Sequence, residues 1–417
     1  MKEIIFYRVV TRICLSCVLV TALACGAHHA TIAPAEAHWV ASWQGAPQLT
    51  EPRNMPPVPL AHVTLRQVIH TSIGGTRWRL RFSNEFGNGP VVIASAHVAR
   101  SVRRDTVDVS TDRALAFDGR QRVTIPAGGT ATSDPIDITV APLANLAITT
   151  TIDTTPSALT GHPGSRTTSF IVAGDHGVDR AFANAATTEH WYLIDRLDAI
   201  APGDAAAVVV LGNSIADGRG SGTDRNDRWP DILSARLRAS DATKNVAVLN
   251  AGIGGNAIVR GGLGPTALAR FDRDVLEQPG ARWVLISEGV NDIGGARPGT
   301  GAAIAQALIA SYEQMIDRAH ARHLRVYGAT ILPFGGSFYD SPDHREARRT
   351  VNTWIRSSKA FDAVIDLDAV MRDPNDAERL RADGDSGDHL HPNEAGYRAL
   401  AGAIDLALFT RATSDRF

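Results

Sequence analysis

Ser214 lies in Leu211-Gly212-Asn213-Ser214-Ile215-Ala216-Asp217-Gly218, on a turn opened by a glycine directly after an apolar run. A serine in that position can hold its hydroxyl exposed while its own N–H faces the same space, as an acyl-transfer nucleophile requires. The plainer use of such a serine is a helix N-cap. Far downstream, Asp388-His389-Leu390-His391-Pro392-Asn393 enters another helix. An aspartate three residues before a histidine can accept from its Nδ1–H, which leaves Nε2 to take a serine proton. His391 has that spacing and His389 is the second candidate. A rival use makes Asp388, His389 and His391 metal ligands.

Two segments between these ends could stabilise a developing oxyanion. In Asn250-Ala251-Gly252-Ile253-Gly254-Gly255-Asn256, glycines let backbone N–H groups approach a ligand oxygen. Their positions do not fit the G-x-G-x-x-G pattern of a dinucleotide loop. In Gly289-Val290-Asn291-Asp292, the Asn291 amide can donate to an oxyanion, although an Asn-Asp pair more often makes an Asx-turn or a cap. Gly384-Asp385-Ser386-Gly387-Asp388 looks like the serine turn of trypsin-like proteases. Those enzymes are built of β-barrels, which disagrees with the surrounding pattern, so Ser386 reads as a loop residue. No G-x-S-x-G elbow surrounds Ser214, which argues against an ordinary α/β-hydrolase.

The elements that carry these segments alternate strand and helix. Buried strands are expected at Ala206–Leu211, Val246–Asn250, Trp283–Ser287, Leu324–Thr330 and Ala363–Leu367. One helix is expected through Ile304, Leu308, Tyr312, Met315 and Ala319, a second through Val351, Trp354 and Ile355, and a last from Glu394. Such alternation implies a parallel, doubly wound sheet, which binds ligands at the carboxyl ends of its strands. Residues 38–200 read differently, with short alternating segments and turn-rich joints. Thr76–Ser83 places Trp78, Leu80 and Phe82 on one buried face, and Arg77, Arg79 and Arg81 in solvent. Gly74-Gly75 marks a two-residue hairpin back to Val68–Ile73. Further strands are expected at Val91–Val98, Arg122–Ile125, Ile136–Val140 and Leu146–Ile152. This region reads as an all-β sandwich, jelly-roll-like.

Together the four segments resemble the blocks of the SGNH/GDSL hydrolase superfamily, which carry Ser, Gly, Asn and His in that order. The resemblance covers most of residues 205–410. It implies a flavodoxin-like three-layer α/β/α fold, Ser214 as nucleophile, His391 as general base and Asp388 as its orienting acid. It further implies an oxyanion hole of the Ser214 and Gly255 N–H groups with the Asn291 side chain, and needs neither metal nor organic cofactor. The departure is Asn213, where the family usually has Asp. That change should leave the turn intact and alter the electrostatics beside the nucleophile. Trp229-Pro230 also fits the family's continuation by opening the next helix. Residues 38–200 resemble, less specifically, the β-domain that precedes such catalytic domains in bacterial esterases related to acetylxylan esterases. The implied activity is serine-esterase hydrolysis of short acyl groups, acetyl above all, on carbohydrate. The substrate is then a small-molecule or polysaccharide ester. An acyltransferase using the same residues, and a non-catalytic carbohydrate-binding protein, are the alternatives.

Composition fits this reading. The chain has 417 residues, 44% hydrophobic and 21% charged, with a formal net charge of -2. It has no basic block, so nucleic acid and anionic membrane surfaces are not the expected partners. Lys2, Arg8 and Arg12 precede an apolar run from Ile13 to Ala24 that is short for a membrane span. Small residues allow cleavage after Ala24 or after Ala37; the strand-like sequence with Trp39 and Trp43 that follows favours the later site, so residues 1–37 read as an export signal, followed by a β-domain over 38–200 and a catalytic domain over 201–417. The mature protein is expected to be secreted or periplasmic, with no stable membrane span. An alternative is a lipoprotein anchored through Cys25. All three cysteines (Cys14, Cys17, Cys25) lie in the leader, so the mature chain would have no thiol chemistry and no disulfides.

Overall fold

Neighbouring residues of the strand Ala206–Gly212 point to opposite faces of a sheet, and both faces are covered. Ala207, Val209 and Leu211 enter one apolar cluster, while Ala206, Val208 and Val210 enter another. This explains the unbroken apolar run, because a strand buried on both sides has no polar face to show. The structure is a computed structural model that describes residues 37–410. The proposed export signal, cysteines included, therefore lies outside the described residues, apart from Ala37.

Five parallel strands form the central sheet of the second half. In spatial order they are Val246–Gly252, Ala206–Gly212, Ala281–Ser287, Arg325–Ala329 and Ala363–Ile365. Counted along the chain this is 2-1-3-4-5, the flavodoxin-type order. Helices Gly301–His320 and Pro342–Ser357 cover one face; Trp229–Arg238 and Glu394–Gly402 cover the other. The expected stripe of Ile304, Leu308, Tyr312, Met315 and Ala319 is buried in full. Pro230 sits in the first turn of its helix, where no N–H is needed. Because all five strands run the same way, the loops after them gather at one sheet edge.

Residues 38–201 are almost entirely β. One antiparallel sheet has His38–Gln44, Ile194–Ala201, Gly75–Ser83 and Thr130–Thr132 in that order, with Ile136–Val140 also pairing Gly75–Ser83. A second runs Ala186–Thr188, Ser169–Ala173, Val63–His70, Asn145–Thr154, Val91–Arg103 and Thr106–Ala114, with Val123–Ile125 pairing Val91–Arg103. A small third sheet joins Trp191–Tyr192, Thr160–His162 and Gln48–Leu49. One apolar cluster contains Leu65 and Ile69 from the second sheet and Trp78, Leu80 and Phe82 from the first. Leu80 and Phe82 each contribute about 1.5–3 kcal/mol by this burial, and the Trp78 indole donates to the Ile138 carbonyl at 2.9 Å.

Two local expectations are corrected. Gly74-Gly75 is not a hairpin turn: Val63–His70 and Gly75–Ser83 belong to different sheets. Between them the chain is captured by Ser42, whose hydroxyl donates to Ile73 O and accepts from Ile73 N, and Ile73 turns into the core of the α/β half. Nor are all three arginines of this strand in solvent. Arg77 is exposed, but Arg79 pairs with the buried Asp198 at 2.9 Å and Arg81 with the buried Asp195 at 2.8 Å.

The two architectures share packing. Val40, Ala41 and Ala46 lie in the same cluster as Ala207, Val209 and Leu211. Ser72 Oγ bonds Ser234 Oγ at 2.7 Å and accepts from Val248 N, so a β-region serine completes an edge of the parallel sheet. Strand Ile194–Ala201 leads to Ala206 through one short turn. The boundary near 198–204 is thus a change of architecture within one compact unit.

Candidate active site

Asn213 directly follows the first parallel strand and caps the short helix Ser214–Asp217, accepting from Ile215 N at 3.0 Å. The cap is therefore Asn213, and the Ser214 hydroxyl is left for another partner. That partner is His391: Ser214 Oγ lies 2.8 Å from Nε2. On the other side of the ring, Nδ1 lies 2.7 Å from Asp388 Oδ2, and Asp388 Oδ1 accepts from the backbone N–H of Leu390 and His391. The two ends of the sequence motif, 177 residues apart, thus meet in one hydrogen-bonded chain.

The electrostatics follow from these contacts. Asp388 is partly buried, but its backbone donors and the His391 ring hold it down at about 2. Burial lowers the His391 pKa below its ordinary value; Asp388 opposes this, and Arg219 and Arg166 add to it. The imidazole is consequently neutral at pH 7, ready to accept a proton. His389 takes no part, since its Nδ1 pairs with Asp385 at 2.6 Å. Ser386 is a loop residue whose hydroxyl donates to Asp388 Oδ1 at 3.1 Å. Among the described residues no cluster of three or more His, Cys, Asp or Glu is set to hold a metal.

The other two predicted segments reach the same cavity, of about 440 Å³, whose lining includes Ser214, Gly254, Gly255, Asn291 and His391. Gly254 N–H donates to Asp217 Oδ2 at 2.9 Å and is spent. Gly255 follows in the left-handed region, at φ +73°, a conformation glycine takes without a Cβ penalty. Among the described residues no turn bond consumes its amide. Asn291 donates from Nδ2 to Asn256 O at 2.7 Å and accepts at Oδ1 from the Tyr339 hydroxyl at 3.0 Å. Both contacts fix the amide orientation and leave one Nδ2 hydrogen uncommitted. Asp292, next to it, accepts from Ile258 N and Val259 N and so ties the two loops together.

Beneath the site lies a buried polar floor. The Arg270 guanidinium donates to Gly212 O at 3.0 Å, Ala251 O at 2.6 Å and Asn256 Oδ1 at 3.0 Å. It also pairs with Asp274 at 3.0 Å. One cation thereby links the carboxyl ends of the first two strands. Asn213 Nδ2 donates to Glu288 Oε2 at 3.1 Å. Burial pushes Glu288 up to about 8, with Arg270 opposing. An aspartate at 213 would place a second carboxyl group against this one, which accounts for the amide.

Several site residues gave no warning in sequence. His162 of the β-rich region places Nε2 at 2.9 Å from Asp217 Oδ1 and Nδ1 at 2.9 Å from Ala46 O. Gly164 packs so closely that a Cβ there would lie 1.7 Å from Asp217 Oδ2. Gln48, Glu51, Arg53, Asn54 and Arg166 also line the cavity, so the β-rich region builds one wall of it. The compact His162-Pro163-Gly164 turn was the one local cue.

Residues 210–399 match the model of the GDSL-like Lipase/Acylhydrolase family. The chain carries a GDSL-like acylhydrolase domain. With that domain it is assigned as a carboxylic ester hydrolase. Solved structures similar to part of this chain include a putative lipolytic protein of the G-D-S-L family from Desulfitobacterium hafniense DCB-2, at 22% identity, 48% of this chain, 97% of that chain and a TM-score of 0.37. Another is the acetylxylan esterase Axe2 of Geobacillus stearothermophilus, at 20% identity, 48% and 91% coverage and a TM-score of 0.36. A third is the acetyl xylan esterase AlAXEase, at 20% identity, 47% and 96% coverage and a TM-score of 0.35. No curated protein matches the chain. Among the described residues no helix is long and apolar enough to cross a membrane.

Proposed function

We propose that the GDSL domain hydrolyses short-chain esters, acetyl groups on carbohydrate above all, through an acyl-enzyme on Ser214. The observation that carries this reading is the Ser214–His391–Asp388 chain, with both hydrogen bonds within 2.8 Å. His391 Nε2 takes the Ser214 proton as Oγ bonds to the ester carbon, and the carbonyl oxygen becomes an oxyanion. The Ser214 and Gly255 N–H groups and the Asn291 amide are the proposed donors to that oxygen. The C–O bond to the alcohol then breaks and the leaving oxygen takes the proton from His391. Water adds to the acyl-serine, passes its proton to His391, and the acid leaves as the proton returns to Ser214.

A short acyl group on a polyhydroxylated alcohol suits the cavity wall. Gln48, Asn54, His190 and Tyr339 offer hydrogen bonds, and Leu263, Leu390 and the exposed Phe338 supply an apolar part of the lining. Export completes the reading, motivated by the basic and then apolar start of the chain. N-terminal sequencing of protein recovered outside the cytoplasm should begin at His38.

The catalytic reading is tested with Ser214→Ala, assayed on p-nitrophenyl acetate, p-nitrophenyl butyrate and acetylated xylan, and with a fluorophosphonate probe. Wild type should turn over acetyl esters fastest and take the probe; the variant should do neither while keeping its thermal transition. Undiminished turnover by the variant overturns the assignment of Ser214.

A further inference from the structure

Three guanidinium groups line the cavity that holds Ser214 and His391: Arg53, Arg166 and Arg219. Arg53 and Arg166 have no ion-pair partner among the described residues, and Arg166 Nε is buried without a hydrogen bond. Arg219 comes no nearer than 3.9 Å to Asp388, through a largely exposed side chain, a pairing that solvent screens. The two carboxylates of the lining are occupied elsewhere. Glu51 accepts from Gln48 Nε2 at 2.6 Å and from Asn54 Nδ2 at 2.8 Å. Asp217 accepts from His162 and Gly254.

Arg166 is also held in place before any ligand arrives. Its backbone lies at φ +52°, a strained region for a non-glycine residue. Asp224 fixes that turn: its N–H donates to Arg166 O at 2.9 Å, and its carboxylate accepts from Thr168 N and Thr168 Oγ1 at 2.7 Å each. The clamp fixes the backbone from which the Arg166 side chain reaches the cavity. Arg166 is half-buried, and a buried Nε without a partner is costly to leave unmatched, while the fork geometry of arginine suits a carboxylate or a phosphate.

The geometry points to an ester substrate that itself carries an anionic oxyacid group, clasped by Arg53, Arg166 and Arg219 while its acyl carbon meets Ser214. This inference rests on the catalytic reading above and narrows it from carbohydrate esters in general to acidic ones. It also resolves a conflict within the site. Two of these cations oppose protonation of His391, yet His391 must carry a proton midway through acyl transfer. A bound anion offsets them when that proton arrives.

The test compares kcat/KM for three acetylated methyl glycosides: a neutral glucoside, a glucuronoside and a glucoside 6-phosphate. At least one charged substrate should exceed the neutral one by about tenfold or more at low salt, with the advantage shrinking as salt rises. Which charged substrate leads tells a carboxylate source from a phosphate source. In Arg166→Gln the charged-to-neutral ratio should fall towards one, and because it is a ratio it is insensitive to a general loss of activity. Should that variant fail to fold, Arg53→Gln is measured in the same way. Hydrolysis of all three at equal efficiency by wild type overturns the anionic substrate and leaves the esterase intact. If p-nitrophenyl acetate and all three glycosides are inert, the catalytic reading has failed and this inference falls with it.

Discussion

His162 Nε2 and Asp217 Oδ1 lie 2.9 Å apart, and this contact joins the β-rich region to the short helix that begins at Ser214. Both ring nitrogens face oxygen acceptors, and the ring stacks on Trp191 with centroids 5.6 Å apart. Asp217 passes the constraint on by accepting from Gly254 N. His162→Ala should free that carboxylate and let the Gly254-Gly255 amides drift. A misplacement of about 1 Å costs on the order of a hundredfold in rate, so kcat should drop tenfold or more with a smaller change in KM. Steady-state kinetics on p-nitrophenyl acetate would show this, and an unaltered kcat would remove His162 from the positioning role.

Asn291 is expected to act after binding. Asn291→Ala should lower kcat by roughly 100–1000-fold, the usual loss for one oxyanion donor, with KM little changed. Tyr339→Phe removes only the hydroxyl that orients the amide and should cost less, about tenfold, by the same route. Equal losses in both variants would mean that Tyr339 does more than orient.

The pH profile follows from His391 and Asp388. Burial lowers the His391 pKa, so kcat/KM should rise through an apparent pKa below 6.5 and stay flat above it. Asp388 is ionised throughout that range, since its value is about 2. Its folded value lies below its unfolded one, so it contributes stability that is present above about pH 4 and lost as pH falls towards 2. Asp388→Asn should abolish most activity at every pH; an activity that returns at high pH would instead mean that His391 works without its acid.

Glu288 has the opposite sign. Its folded value, about 8, lies above the ordinary 4.5, so between these limits the folded state binds the extra proton. Stability from this group is present at low pH and declines as pH rises through 4.5 towards 8. Glu288→Gln keeps the shape and should flatten that decline, giving a melting temperature less sensitive to pH between 5 and 8. Asn213→Asp should steepen it by adding a second acid at 3.1 Å from the first. Identical profiles in all three proteins would show that Glu288 does not titrate in this window.

The α/β half was legible because its signals are local. An apolar run buried on both faces, such as Ala206–Gly212, announces a central strand, and the chemistry falls in short blocks after strand ends. His391 and Asp388 are three residues apart, so their contact follows from sequence spacing alone. The β-rich half yielded its strands but not their partners. Gly74-Gly75 carries a valid hairpin signal, yet Ser42 and the burial of Ile73 outweigh it. Arg79 and Arg81 alternate with apolar residues as solvent-facing side chains do, and only their pairing with Asp198 and Asp195 across the sheet shows otherwise. Arg53 and Arg166 escaped notice for the same reason: each joins the cavity by tertiary packing, without a motif of its own.

That the front half of the chain supplies one wall of the cavity separates two kinds of change open to this protein. Substitutions at Gln48, Arg53 or Arg166 should alter which molecule is admitted, while the hydrogen-bonded relay on the parallel sheet stays as it is. Selectivity can then be exchanged by altering or grafting surface loops, whereas the GDSL domain cut free at residue 201 would lose its gatekeeper and expose the apolar surface now covered by Val40 and Ala41.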